Sequence, residues 1–400
     1  MPLEKDMTKK IMIIGGGAAG LMAAIQAARC GASVTILEKN ESPGKKILVT
    51  GNGRCNLTNL GLDPNAYHGE DPSFAKKAME RFSLKQTLGF FHKAGLMTTD
   101  RDGWVYPRSL QASSVLRVLT EEAAAHKVKM KTNADVKDFR PDPDNGWRII
   151  TSDWEYQADA VIIACGSAAS GQEGTEELLQ VLEHLGHRII KPYPALVPLR
   201  CKEKRKWSGV RTSAVVSLYT DERLTASESG EIQLTDYGVS GIPVFQLSRH
   251  AVKALTEKKK VYLELDFFPE QTEEELGNWI REQKTTHMDR SLQTILSGCL
   301  PDKLAVLLSK EREPVFQAKH FRTEIIGSLP VSSAQVCAGG VSSAQIDPHT
   351  MGSLCCRDLY LAGEIIDMDG PCGGYNLQWA WTSGAIAGIS ASTARGRTSL

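Results

Sequence analysis

The sequence predicts an α/β protein with a parallel sheet that is split in sequence around an inserted β unit. Three observations lead to this fold class. A short apolar strand, a glycine-rich turn, a helix and a second strand follow one another in residues 11–37. A second strand, turn and small-residue helix begins only at Asp358. Between them, residues 195–268 contain alternating runs such as VVSLY and VYLELDF, which are typical of a small β unit.

The first element is a glycine turn, Gly15–Gly20, that joins the first strand to an alanine-rich helix, Leu21–Arg29. It matches the pattern G-x-G-x-x-G. Gly15 permits the tight turn, Gly17 lets the backbone approach a pyrophosphate, and Gly20 lets the helix pack closely on the sheet. The helix amino terminus offers free N–H groups and a positive dipole end. We therefore predict a pyrophosphate site at Gly15, Gly17, Ala18, Ala19 and Gly20.

Glu38 follows the second strand, Ser33–Leu37, at the position where such folds bind a ribose. A carboxylate there accepts hydrogen bonds from both ribose hydroxyls of an adenosine and repels a 2′-phosphate. We predict that Glu38 binds the adenosine ribose and that Lys39 and Val136 also contact the cofactor. The strand, helix and acid all stand at the required spacing, but this fingerprint does not separate FAD from NAD.

The carboxyl-terminal segment favours FAD. The strand Asp358–Gly363 (DLYLAG) ends at Glu364, and a glycine-led turn then starts the helix Trp379–Ile389. This is a second anion-binding arrangement, far from the first along the chain, which suits a long extended dinucleotide. The predicted cofactor residues here are Gly363, Glu364, Asp367, Gly374, Tyr375, Asn376 and Leu377.

A polar loop, Thr50–Asn59 (TGNGRCNLTN), carries glycine and asparagine groups that can reach flavin, ribityl and pyrophosphate oxygens. Arg54 lies between a glycine turn and a polar segment, with little apolar surface to cover, so we predict a functional role for it. Lys46 either neutralises the pyrophosphate or is a solvated turn lysine. The candidate cofactor residues that these groups indicate are Lys46, Thr50, Gly51, Asn52, Gly53, Arg54 and Asn56.

Several segments resemble one protein family. They are Pro43–Lys46 (PGKK), Thr50–Asn59, Gly103–Ser109 (GWVYPRS), Gly230–Ser248, Ala338–Thr350 and Gly363–Gly388. On these segments the chain resembles the BaiN-like bacterial flavoproteins, a group of NAD(P)/FAD-dependent oxidoreductases of which some are called aminoacetone oxidases. The resemblance runs nearly end to end. It implies a Rossmann-like FAD-binding domain split in sequence, with the Thr50–Asn59 loop along the cofactor. The resemblance therefore places Asn52, Gly53, Arg54, Cys55, Asn56 and Leu57 near the cofactor.

The chain fits that layout. We predict the first part of the FAD-binding domain in residues 1–191, where Ala160–Ala164 and Gly166 close the nucleotide half and contribute Ala164 and Gly166 to the site. Prolines at 192, 194 and 198 mark a boundary. An inserted, barrel-like β unit follows in residues 192–268, then a helical unit in 269–324, and the second part of the FAD-binding domain in 325–400.

The second glycine-led helix also predicts how the protein stabilises reduced flavin. Reduced flavin gathers negative charge at its N1/O2 edge, and a helix amino terminus at Gly374–Leu377 would stabilise that charge. Cys55 and Cys372 could form a redox-active dithiol if both flank the flavin ring. We interpret them instead as packed thiols, because known flavin-linked dithiols lie on one loop as C-x-x-C or C-x4-C.

Composition limits the partners. Lys plus Arg and Asp plus Glu each number 47, so net charge predicts neither a nucleic acid nor a membrane partner. The nine scattered cysteines suit a reducing cytoplasm, and the dispersed histidines have no metal-ligand spacing. We expect a cytoplasmic monomer or homodimer without a metal.

Three reactions remain open for a small-molecule substrate. They are hydride transfer through flavin N5 in a reductase or dehydrogenase, amine oxidation with release of hydrogen peroxide, and flavin binding without catalysis. No second G-x-G-x-x-G follows a strand, so NAD(P)H could act only as a transient electron donor over the flavin. The sequence assigns no catalytic acid or base.

Overall fold

The computed structural model describes residues 8–143, 146–171, 175–203 and 206–393. The chain divides into two compact units. Unit 1 comprises Met1–Pro192 and Val336–Leu400, and unit 2 comprises Tyr193–Gln335. We predicted a return to the first domain at residue 325. The structure places that return later, because a strand that begins at Phe321 still belongs to unit 2.

The amino-terminal part of the chain alternates strands and helices. In chain order its elements are β1 (Lys10–Ile14), α1 (Ala18–Arg29), β2 (Ser33–Leu37), α2 (Lys45–Val49), β3 (Thr58–Asn59), β4 (His68–Gly69), α3 (Phe74–Arg81), α4 (Leu84–Lys93), β5 (Thr98–Arg101), β6 (Trp104–Pro107), α5 (Ala112–Ala125), β7 (Lys129–Lys131), β8 (Val136–Pro141), β9 (Trp147–Thr151), β10 (Glu155–Ala158), β11 (Ala160–Ile163), α6 (Thr175–His184) and β12 (Ile189–Ala195).

The middle part contains long strands followed by short helices. Its elements are β13 (Leu199–Cys201), β14 (Val210–Thr220), β15 (Arg223–Leu234), β16 (Gly238–Gly241), α7 (Ile242–Thr256), β17 (Val261–Asp266), α8 (Glu273–Thr286), α9 (Leu292–Leu296), α10 (Asp302–Leu308), α11 (Pro314–Lys319) and β18 (Phe321–Ser328). The last part returns to unit 1 with β19 (Val336–Val341), β20 (Leu359–Leu361), β21 (Met368–Asp369) and α12 (Tyr375–Thr393).

A five-stranded sheet forms the centre of unit 1, in the order β20-β11-β1-β2-β7, and all its pairs are parallel. Residues 11–14 of β1 and all of β11 are buried, as expected for strands covered on both faces. The carboxyl-terminal strand β20 pairs with β11, so the two parts of unit 1 share one sheet. The predicted α/β class with a split parallel sheet is confirmed.

The helices α1 and α12 pack closely together on this sheet. The added Cβ of an alanine at Gly384 would overlap the carbonyl of Ala19, and one at Gly388 would overlap that of Ala23. Small residues in α12 therefore let two backbones approach, as the sequence predicts. The helix itself is longer than expected, from Tyr375 to Thr393.

Unit 2 contains a closed barrel of six strands in the order β13-β16-β15-β14-β17-β18. Its strands β14 and β17 alternate buried and partly exposed residues, which is the pattern that the sequence showed. β18 pairs with both β17 and β13, and this long-range pairing closes the barrel beyond the predicted boundary at residue 268.

Candidate functional site

Four of the predicted cofactor segments meet at one edge of the parallel sheet of unit 1. Gly15 follows β1, Glu38 follows β2, Ala164 follows β11, and Gly363 stands two residues after β20. Because these strands are parallel neighbours, their carboxyl ends lie side by side. Ligands of open α/β sheets bind at this edge.

The glycine turn has the shape of a phosphate cradle. Gly15 has a φ of 105°, and an added Cβ would overlap the carbonyl of Ala164, while a Cβ at Gly20 would overlap the carbonyl of Gly15. A Cβ at Gly17 meets no protein atom within 4 Å. Gly17 is also the N-cap of α1 and has no side-chain cap hydrogen bond. The first turn of α1 therefore faces open space with unpaired N–H groups, which fits a pyrophosphate.

Glu38 is 6% exposed and is held in place by three donors. Its Oε2 accepts from Gly16 N at 2.7 Å, and its Oε1 accepts from Asn40 N at 2.8 Å and Asn40 Nδ2 at 2.6 Å. A carboxylate has about four lone-pair directions, so capacity remains for a ribose hydroxyl. Asn40 was not predicted from the sequence, although it stands only two residues after Glu38 and donates two hydrogen bonds to its carboxylate.

Lys39 and Val136, which were also predicted to contact the cofactor, both lie near Glu38. Lys39 is half-buried and directly follows it. Val136 is buried at the start of β8, and the nearby Ala134 N donates to the Glu38 carbonyl at 2.9 Å. The segment before β8 is therefore joined to the end of β2.

Gly363 and Glu364 are brought to the first helix. A Cβ at Gly363, whose φ is 77°, would lie 2.9 Å from the Ala19 Cβ. The Glu364 carboxylate accepts hydrogen bonds from Ser167 Oγ at 2.6 Å and Cys337 N at 2.8 Å, and it forms an ion pair with Lys46.

In this structure Lys46 forms an ion pair with Glu364, and its side chain is 24% exposed. Gly166 lines a cavity of about 280 Å³ together with Ser167, Cys337 and Glu364. Ser167 and Cys337 were not predicted, since only the fold brings them to Glu364.

The loop that begins at Thr50 folds on itself. Gly51, Asn52, Gly53 and Cys55 all have positive φ, between 53° and 79°. The carbonyl of Thr50 accepts from Gly53 N and Cys55 N, both at 3.1 Å. The segment 51–54 is exposed, so its polar groups are available to a ligand.

The next three residues of this loop are buried and support the structure. With its amide nitrogen toward Val105 O (3.0 Å) and Thr58 O (2.9 Å), Asn56 accepts from Gly374 N at 3.2 Å. Leu57 donates its N–H to the Val105 carbonyl. The Cys55 thiol is fully buried, and this burial raises its pKa to about 12. A protonated, enclosed thiol matches the packed-thiol interpretation.

The first two residues of α12 hold the turn before this helix together. Asn376 Oδ1 accepts from Gly370 N at 2.9 Å, and its Nδ2 donates to Gly370 O at 2.8 Å. The Tyr375 hydroxyl accepts from Asp63 N at 3.1 Å. Leu377 is half-buried. The side chains of Asn376 and Tyr375 therefore build the helix start, while the backbone N–H groups at 375–377 have no partner within the helix.

Asp367 is likewise an internal residue. It is 4% exposed, and its carboxylate accepts from Gly339 N at 3.0 Å and Glu70 N at 2.9 Å. It joins β19 to the segment after β4, so its side chain stabilises the fold around the site.

Within the described residues, no group of three His, Cys, Asp or Glu side chains is arranged to hold a metal ion. The same part of the chain contains no helix with the length and hydropathy needed to cross a membrane.

Comparison with known proteins decides the family. The family model described as the HI0933-like protein Rossmann domain matches residues 9–390. The chain belongs to the HI0933-like family. A relative from Clostridium scindens named 3-dehydro-bile acid delta(4,6)-reductase is 42% identical, over 96% of this chain and 98% of that protein. The resemblance that the sequence motifs suggested is confirmed.

Two further comparisons give a relative of lower sequence identity and a solved structure with a similar fold. A ribosomal RNA dihydrouridine synthase from Haemophilus influenzae is 29% identical, over 95% of this chain and 98% of that protein. Among solved structures, 3-ketosteroid-delta4-(5alpha)-dehydrogenase from Rhodococcus jostii RHA1 matches with a TM-score of 0.53 at 15% identity, over 98% of both chains. This last likeness concerns the fold.

The protein is an FAD-dependent oxidoreductase. FAD supplies hydride transfer when it is bound. The open space beside Gly17, the uncapped start of α1 and the buried carboxylate of Glu38 fit its adenosine diphosphate half. The first backbone N–H groups of α12, which have no partner within the helix, fit its flavin half.

Proposed function

We propose that the protein reduces a carbon–carbon double bond conjugated to a carbonyl in a small apolar ring compound. The observation that carries this proposal is the 42% identity, over nearly the whole of both chains, to a protein named as a 3-dehydro-bile acid reductase. In such a substrate the hydride enters the carbon β to the carbonyl, and the negative charge that develops moves to the carbonyl oxygen. NAD(P)H is the proposed transient electron donor.

The second relative supports the same chemistry. Its name describes the formation of dihydrouridine, and the double bond that is saturated in a uracil ring is also conjugated to a carbonyl. Two relatives with different substrates thus share one type of reaction. We infer the reaction class from what they share, and the substrate class from the nearer of the two.

Surface composition supports a small apolar substrate. Leu48 and Val49 directly precede the Thr50–Asn59 loop and are 39% and 61% exposed, and Met97 is 72% exposed. Met97 is tied to the segment after β6, because its carbonyl accepts from Arg108 N at 2.8 Å. Exposed apolar side chains directly before a predicted cofactor loop favour an apolar ligand. The equal numbers of acidic and basic residues favour no polyanion.

We propose that the predicted cofactor residues fall into two groups, those that contact FAD and those that support the contacting segments. Backbone groups of Gly15–Gly20, Gly51–Arg54 and 375–377, with the side chains of Glu38 and Arg54, contact FAD. Asn56, Leu57 and Asp367 support those segments through the hydrogen bonds described above. The scattered free thiols favour a reducing cytoplasm as the location.

The test is anaerobic stopped-flow spectroscopy of the purified holoprotein. Fast bleaching of the oxidised-flavin band by NADPH or NADH, followed by reoxidation with a cyclic enone such as a 3-oxo-Δ4 steroid, is the expected result. Bleaching by small amines alone, with hydrogen peroxide formed on exposure to air, would replace the proposal by an amine oxidase. An RNA oligonucleotide that reoxidises the flavin faster than any enone would move the substrate to RNA.

A further inference from the structure

The small sheet β3-β6-β5 carries an aromatic face beside the proposed flavin site. Trp104 and Tyr106 alternate on β6 with the buried Val105 and Pro107, so the two aromatic side chains share one face. In the antiparallel register, Arg101 lies opposite Trp104 and therefore belongs to the same face.

This face adjoins the start of α12. A Cβ at Gly373 would be 3.0 Å from the ring of Trp104, and Asn59 Nδ2 donates to the Gly373 carbonyl at 3.1 Å. Gly373 and Gly374 lead directly into α12, the helix start that we assign to the flavin. Tyr106 stands two strand residues from Trp104, about 7 Å along β6.

The Arg54 loop is joined to β6 next to Tyr106, because Leu57 N donates to the Val105 carbonyl at 2.8 Å and Thr58 pairs with Val105. Burial raises the pKa of the Tyr106 hydroxyl, and the positive charges of Arg54 and Arg101 oppose that rise. Arg54 makes no ion pair or hydrogen bond through its side chain to any residue that the structure describes. Tyr106 is therefore a protonated phenol between the Arg54 loop and the start of α12, with two cations that would stabilise its conjugate base.

We propose that the Tyr106 hydroxyl donates the proton that completes reduction of the substrate double bond, with Arg54 as a positioning residue. This assignment rests on the proposed function. Saturation of a conjugated double bond needs one hydride at the β carbon, which the bound cofactor supplies, and one proton at the α carbon. Tyr106 Oη gives that proton, and the phenolate recovers one from solvent, so atoms and charge balance.

Other proton donors near this face are poorly suited. The Cys55 thiol is enclosed, and arginine side chains keep their protons at all working pH values. A phenol is a usual general acid for such a step, and removal of a general acid slows the step that it serves by about 100-fold or more.

The test separates the two half-reactions of Tyr106→Phe. Reduction of the flavin by NAD(P)H is expected to proceed at the wild-type rate, because no proton is delivered to carbon in that step. Reoxidation by the enone is expected to slow by about 100-fold or more. Reoxidation by ferricyanide, which needs no proton transfer to carbon, is expected to stay unchanged. Tyr156→Phe, on β10, is the matched control and should keep both rates.

A second readout is independent of rate. In deuterated water the wild-type product should carry deuterium at the α carbon on one face, whereas Tyr106→Phe should lose part of this facial selectivity. Arg54→Lys should slow the enone step less than Tyr106→Phe, since it keeps the positive charge.

Equal enone rates and equal selectivity in wild type and Tyr106→Phe would overturn the assignment while leaving the proposed function intact. Failure of every enone to reoxidise the wild-type flavin would instead overturn the proposed function, and the assignment with it.

Discussion

The two ends of the proposed FAD site are built by different means. At the adenosine diphosphate end, Gly15, Gly17 and Gly20 leave room for the ligand through the shape of the backbone, and one acid, Glu38, adds a side chain. At the flavin end, several side chains whose residue types predict contacts with the cofactor instead form hydrogen bonds within the protein. Asn56, for example, is bonded to Gly374.

The difference follows from how far apart in sequence the residues of each end lie. The residues of the adenosine diphosphate end lie within one βαβ segment, so neighbouring elements fix their geometry. The flavin end joins segments separated by about 300 positions, such as Thr58 Oγ1 and Gln378 Oε1 at 2.7 Å. Such a junction needs internal polar contacts, because buried polar groups must find partners.

The largest expected effect is at the junction itself. Gly374 has a φ of 92°, and an added Cβ would lie 2.5 Å from the carbonyl carbon of Thr58. We expect Gly374→Ala to lower the free energy of unfolding by ~3 kcal/mol, through overlap and left-handed strain together, and to abolish FAD retention. Chemical denaturation and flavin content measure both effects.

Gly95→Ala is the matched control for Gly374→Ala. Gly95 has a similar φ of 86°, but a Cβ there meets no atom within 4 Å. Its loss should be ~1–2 kcal/mol, the strain alone, with FAD retained. Equal losses in the two variants would show that the close approach of Gly374 to Thr58 does not matter.

The next effect concerns the ligand rather than the fold. Gly17→Ala adds a Cβ that meets no protein atom, so the apoprotein should keep its stability. The same Cβ would occupy the space that we assign to the pyrophosphate, and FAD affinity should fall by about 100-fold. Fluorescence titration of the apoprotein with FAD measures it.

Gly89→Ala, a helical glycine with no atom near its Cβ position, controls for the loss of a glycine. It should leave FAD affinity unchanged. If Gly17→Ala bound FAD as tightly as Gly89→Ala, the phosphate cradle would lie elsewhere.

A smaller effect is expected at Glu38. Glu38→Gln keeps an acceptor for Gly16 N but removes the charge, so FAD affinity should fall by about tenfold. The flavin spectrum and potential of the holoprotein should stay the same, because this end does not reach the reactive ring. A changed potential would show that Glu38 influences the flavin ring, contrary to the separate roles assigned to the two ends. Glu38→Ala should weaken FAD retention more, since it also leaves Asn40 without its partner.

The contrast also explains how much the sequence could predict. The strand Ser33–Leu37 was predicted with the bounds that the structure gives it, since its apolar pattern and the preceding Gly31 are local signals. The barrel strand β18 was missed because its role depends on pairing with β13, more than 100 residues earlier. His187, one of the dispersed histidines, is 2% exposed and forms a hydrogen bond with Ser353 Oγ at 2.8 Å, again with a partner distant in sequence.

For the proposed flavin end, the sequence predicts segments but not the task of each side chain. Asn56, Tyr375 and Asn376 have the residue types of ligand contacts, and residue type alone does not distinguish a contact with FAD from a contact with Gly374, Asp63 or Gly370.

Asn376 offers a finer test of this end. Asn376→Asp keeps the acceptor for Gly370 N, loses the bond to Gly370 O, and adds a negative charge at the start of α12. That charge should oppose negative charge on reduced flavin and lower its potential by about 30 mV, equal to ~1.4 kcal/mol for two electrons. Asn65→Asp, on an exposed turn, is the control. An unchanged potential with FAD bound would place the reactive edge of the flavin away from this helix start.

The smallest effect is expected at Cys55. Its thiol is enclosed, and burial raises its pKa to about 12, so it has no thiolate to exchange electrons near neutral pH. Anaerobic reductive titration should consume two electrons per FAD in wild type, in Cys55→Ser and in Cys372→Ser alike. Four electrons in wild type, reduced to two in both variants, would instead reveal a flavin-linked dithiol. The flavin end would then be a redox centre assembled from two segments, rather than a pocket that those segments only shape.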